Sequence, residues 1–73
     1  MIIIDLTKIL KEKNMTSKEL AIAIGITEAN LSILRSGKAK AIRFSTLDAI
    51  CKVLNCSPGD FIRYKEGDID EED

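Results

Sequence analysis

Residues 16–38 read TSKELAIAIGITEANLSILRSGK, and the order of caps, apolar positions and glycines in this stretch decides the fold. Thr16-Ser17-Lys18-Glu19 fits a capping box, in which the threonine hydroxyl accepts from the amide three residues on while the glutamate carboxylate accepts from the threonine amide. A helix therefore starts there, with Leu20, Ala21 and Ile24 on one face. Gly25 ends it, because glycine adopts the left-handed conformation of a sharp turn at no steric cost. Ile26 then plugs the corner, Thr27 caps a third helix, Leu31 and Leu34 face inward, and Gly37 stops it. The outward face of that helix carries Glu28, Asn30, Ser32 and Arg35. Two short helices joined by a glycine turn cross steeply, so the second stands proud of the body in a way that fits a major groove.

Upstream, Asp5 to Lys13 places Leu6, Ile9 and Leu10 at helical spacing with lysines opposite, which predicts a first amphipathic helix. Downstream, Lys38 to Arg43 is a basic loop, and Ser45-Thr46-Leu47-Asp48 opens a fourth helix over 45–55 with Leu47, Ile50, Cys51 and Leu54 on one stripe. Ser57-Pro58-Gly59-Asp60 combines a capping serine, a proline in the first helical position and an acid three residues on, which predicts a last short helical turn through Phe61 and Ile62. The expected fold class is all-α, a bundle of five helices. Met1-Ile2-Ile3-Ile4 is a β-branched run too short for a helix, and Phe61 to Lys65 is a second segment, with aromatic and branched residues. Each suits a strand. They are expected to pair, within one chain or across a dimer, the alternative being a frayed terminus.

The 73 residues allow one domain, assigned to 1–65, followed by an acidic tail, 66–73, expected to be disordered. A composition that is 45% hydrophobic but only 4% aromatic, with one proline, suits small helices packed through Leu, Ile and Ala. No apolar run reaches the roughly 20 residues needed to span a bilayer. Met1–Ile4 lacks a basic leader and a cleavage site, so no signal peptide is expected. Two cysteines, Cys51 and Cys56, with no histidine in the chain cannot build a mixed Cys/His metal site or a Cys–His catalytic pair. They are read as buried reduced thiols, which implies a cytoplasmic protein. With no glycine-rich phosphate loop and little room for a pocket, no enzyme, cofactor, metal or small-molecule substrate is expected.

A net charge of −1 hides a sharp division. Six of the twelve acids lie in 66–73, so residues 1–65 hold all eleven bases against six acids, a body of +5. Within it, Arg35, Lys38, Lys40 and Arg43 place four cations in nine residues with no acid between them.

Taken together, Leu20-Ala21, Ile24-Gly25-Ile26-Thr27, Leu31, Leu34, Gly37-Lys38, the helix 45–55 and the Ser57-Pro58-Gly59-Asp60 turn resemble the Cro/C1-type (XRE-like) helix-turn-helix regulators related to phage repressors. The resemblance covers roughly Leu6 to Ile62. It implies a lambda-repressor-like domain that binds double-stranded DNA and regulates transcription, with repression the expected outcome. It also places the outward residues of the third helix in the groove, making Glu28, Ala29, Asn30, Ser32 and Ile33 the candidates for base contact. By chemistry, Asn30 suits adenine, Ser32 several bases, Ala29 or Ile33 a thymine methyl and Glu28 cytosine. Ser17, Lys18, Thr27, Arg35, Lys38, Lys40 and Arg43 are candidates for phosphate contact. Two departures stand out: Ile33 sits where a polar or basic side chain is common, and Glu28 brings a negative charge toward DNA. Ile33 has a second reading, packing between helices or forming a protein interface. A homodimer is expected because one module this small has a small DNA interface, whereas a two-fold pair reads two half-sites. The competing function is a protein-interaction module, such as an antitoxin, that keeps the fold and holds its partner through Ile33.

Overall fold

The computed structural model describes residues 1–66. Its elements run β1 (Ile2–Ile4), α1 (Thr7–Glu12), α2 (Ser17–Ile24), α3 (Glu28–Ser36), α4 (Phe44–Leu54), a 3-10 turn (Pro58–Asp60) and β2 (Ile62–Tyr64). There are thus four α-helices in the described residues, not five. The segment expected to give a fifth makes one 3-10 turn, because Phe61, turned inward, and the strand after it take the chain over at once.

The two ends pair within the chain. β1 runs antiparallel to β2 with Ile2 opposite Tyr64, Ile3 opposite Arg63 and Ile4 opposite Ile62. The ladder extends at both ends, where the Asp5 amide donates to the Phe61 carbonyl at 2.7 Å and the Lys65 amide to the Met1 carbonyl at 2.8 Å. An isolated two-stranded ribbon is marginal in water. Here Ile4 and Ile62 pack on the helical core and anchor it. Extension of the ladder to Asp5 also explains why α1 starts at Thr7 instead of Asp5: the Asp5 main chain is committed to the sheet, and its carboxylate accepts from the Thr7 amide at 3.2 Å.

The helix boundaries follow local chemistry. At α2 both halves of the capping box form: the Glu19 amide donates to Thr16 Oγ1 at 3.1 Å and the Thr16 amide to Glu19 Oε1 at 2.9 Å. Gly25 and Gly37 close α2 and α3 at φ 79° and 81°, the left-handed region that a side chain would strain. The start of α4 differs from expectation. It begins at Phe44 after an extended Arg43, with no side-chain cap, so Ser45 lies inside the helix. Its far end is a left-handed Asn55, after which the Cys56 amide returns to the Cys51 carbonyl at 3.0 Å, a Schellman arrangement. The two cysteines are free and half-buried, less enclosed than expected. Burial, then the neighbouring Cys51 and Asp60, push the Cys56 thiol above its ordinary value.

The core consists of Leu6, Ile9 and Leu10 from the first helix and its entry, Leu20 and Ala21 from α2, Leu31 from α3, Ile50 and Leu54 from α4, and Phe61. No polar or charged side chain is buried among the described residues. No described helix is long and apolar enough to cross a membrane. The expected disorder of the acidic tail concerns residues 67–73, which lie outside the described residues.

Candidate nucleic-acid interface

α3 is attached to the body by one fully buried side chain, Leu31, with half-buried Leu34 one turn on. The rest of the helix is therefore free to face outward. Glu28, Ala29, Asn30 and Ser32 are exposed, and Ile33 is 45% exposed. Thr27 Oγ1 accepts the Asn30 amide at 3.0 Å, so the hydroxyl that starts the helix also fixes the backbone beneath Asn30. Its proton remains available to an outside acceptor.

A groove of about 450 Å³ runs between α3 and the start of α4. Asn30 and Ile33 stand on one side, Arg43 and Thr46 on the other, above a floor that includes Ile26 and Ile42. It brings two base-contact candidates and one phosphate candidate to the same opening. A second cavity, about 470 Å³, lies between α3, the start of α2 and the entry to α1, lined among others by Thr7, Ser17, Glu28, Ser32 and Arg35. Lys18, Lys38 and Lys40 are exposed outside both. The Lys38 main chain is held after α3 by its amide bond to Ser36 Oγ at 3.3 Å, while Ser36 Oγ donates to the Ile33 carbonyl at 3.0 Å.

Arg35 departs from the outward position expected for it. It is half-buried, and its guanidinium donates to Ser17 Oγ and, at 2.9 Å, to Thr7 Oγ1. Thr7 was not singled out from the sequence, and only the contact between residues 28 apart reveals it. Phe44 was also missed: it is 85% exposed at the first position of α4, directly after Arg43. The signal was present, since Leu47, three residues later, already supplies the apolar stripe without it.

Comparison with known proteins bears on this geometry. Residues 5–67 match the Cro/C1-type HTH DNA-binding domain. A curated relative, the uncharacterized HTH-type transcriptional regulator YozG of Bacillus subtilis (strain 168), is 56% identical over 64 residues, 88% of this chain and 76% of the relative. Among solved structures, the transcriptional regulator VanUg superposes with a TM-score of 0.66 at 31% identity, covering 85% of this chain and 84% of that one. A chain of the SinR–SinI complex superposes at 0.67 with 24% identity over 75% of this chain, which spans only 53% of that chain's length. With most of its length matched by that domain and by a relative of this identity, the chain belongs to the Cro/C1-type helix-turn-helix family of DNA-binding transcriptional regulators.

Proposed function

We propose that this protein is a sequence-specific regulator that lays α3 in the major groove of duplex DNA, binds as a homodimer in the cytoplasm, and represses by occupying its site. The observation that carries the reading is α3 itself: one buried anchor, an exposed face that carries Glu28, Asn30 and Ser32 beside Ile33, and cations on the segment that follows it. In this reading Asn30 and Ile33 face base edges across the groove from Arg43, with Glu28, Ala29 and Ser32 beside them. Ser17, Lys18, Thr27, Lys38, Lys40 and Arg43 meet backbone phosphates and set register and salt dependence. Repression by occupancy needs no further surface, only a complex that excludes other proteins from the same DNA.

The test is selection from a random-sequence duplex pool at two salt concentrations. Salt-sensitive binding that enriches a palindrome with half-sites about one helical turn apart supports the whole reading. Enrichment of a single half-site would remove the dimer, and no binding at low salt would remove DNA as the target. The second reading, a protein-binding module, draws on exposed Ile22, Ile33 and Phe44, of which Ile22 is 69% exposed on α2.

Ile33 gives a sharper prediction. If it packs on a thymine methyl, uracil substitution at that thymine removes about one buried methyl group, or ~0.8 kcal/mol, and weakens wild-type binding about fourfold. Ile33→Ala should bind the thymine and uracil duplexes equally. Discrimination that persists in the variant would assign the methyl contact to another residue.

A further inference from the structure

We infer that Arg35 is a positioning residue for DNA recognition, holding α3 at its angle to α2 and α1 through Ser17 and Thr7 instead of neutralising a phosphate. The inference rests on the reading of α3 as the DNA-facing helix, and three features of the fold carry it.

The first is the meeting of three helices. Arg35 is in the last turn of α3, Ser17 is the first residue of α2, and Thr7 the first residue of α1. One planar guanidinium spans both hydroxyls at once, which a lysine ammonium on a single-point head does not reproduce.

The second is leverage. Leu31, the single fully buried side chain of α3, acts as a pivot and does not by itself fix a tilt. Glu28 lies three residues from the Leu31 pivot, about 4.5 Å of helix, so a tilt of roughly 13° about it moves Glu28 by about 1 Å. A recognition constellation tolerates only about 0.5 Å. A hydrogen-bonded tie at the C-terminal end of α3 removes that freedom.

The third is charge. The cavity holding Arg35 is also lined by Asp5 and Glu28, which oppose the approach of a phosphate to that guanidinium. By contrast Lys38, Lys40 and Arg43 lie outside this acidic border.

The experiment uses the full chain and a fluorescein-labelled duplex taken from the selected pool, titrated between 50 and 200 mM salt. Arg35→Ala is expected to weaken binding about tenfold, the effect of losing one charge-assisted hydrogen-bonded tie, with an unchanged slope of log affinity against log salt. Arg35→Lys should fail to restore it. A slope shallower by about 0.9, restored by lysine, would overturn the inference and make Arg35 a phosphate ligand. Should Arg35→Ala not fold, Thr7→Val keeps the charge and removes the one acceptor of the tie that lies outside the proposed DNA contacts. It should lose affinity at unchanged slope, and wild-type affinity in it would equally overturn the inference. Thermal melts without DNA separate the two levels: Arg35→Ala and Thr7→Val should be non-additive in Tm whether or not DNA is the target.

Discussion

Phe61→Ala is expected to lower Tm by more than about 15 °C and leave much of the protein unfolded at 37 °C. Phe61 is the largest fully buried side chain among the described residues and joins the 3-10 turn to β2. Truncating a buried phenylalanine costs about 3–5 kcal/mol, from lost transfer energy and from the cavity left behind. A domain of this size sits near the bottom of the usual range of roughly 5–15 kcal/mol, and each kcal/mol is worth about 4–8 °C. The main-chain bonds of Phe61, to the Asp5 amide and the Pro58 carbonyl, do not need its ring, so the loss is one of packing. The control is the other phenylalanine. Phe44 is 85% exposed, and Phe44→Ala should shift stability by no more than about 0.5 kcal/mol. Differential scanning calorimetry on both variants checks the pair. A Phe61→Ala melt within a few degrees of wild type would mean that the core closes around the gap.

That contrast between two phenylalanines marks the boundary of what the sequence could show. The helix-turn-helix was legible because its signals are local: Thr16 and Glu19 cap within four residues, and Gly25 and Gly37 mark left-handed turns wherever they sit. The pairing of Met1–Ile4 with Ile62–Lys65 was legible as a β-branched run and a segment with aromatic and branched residues, but sequence pattern does not say whether they meet in one molecule or two. The fifth helix was overestimated, since a serine cap and a proline start a turn but do not decide how many turns follow. The answer came from Phe61 and the ladder to β1, contacts across more than fifty residues. The start of α4 was misplaced by one residue because a serine is a good cap in general, whereas here the extended Arg43 enters the helix uncapped. In the candidate site, exposure along α3 followed from its period. Arg35 did not, because its neighbours come from two other helices, and a basic residue near a basic loop reads as solvent-facing until Thr7 and Ser17 are seen beside it.

The triple variant Lys38→Ala, Lys40→Ala, Arg43→Ala should bind every duplex more weakly, on the order of a hundredfold at 0.1 M salt, without changing which sequences it prefers. Each phosphate contact contributes about 0.9 to the salt slope, so the variant's slope should be shallower by roughly 2.7. Folding should hardly change, for all three side chains are exposed and none supplies a cap. Arg43 precedes α4 without a side-chain cap bond, and the tie at Lys38 uses its main-chain amide and Ser36. Asn30→Ala makes the opposite prediction: a nearly unchanged slope and a relaxed preference at one base pair, costing about 1–3 kcal/mol against the preferred base. Anisotropy titrations on the selected duplex and on the unselected pool, at three salt concentrations, separate the two effects. A triple variant with wild-type slope would show that the segment 38–43 lies away from DNA and would move the phosphate contacts to Ser17, Lys18 and Thr27. If Asn30→Ala also left the preference intact, α3 would not be the reading helix, and its exposed face, with Ile33 at its centre, would be the surface to test against a protein partner.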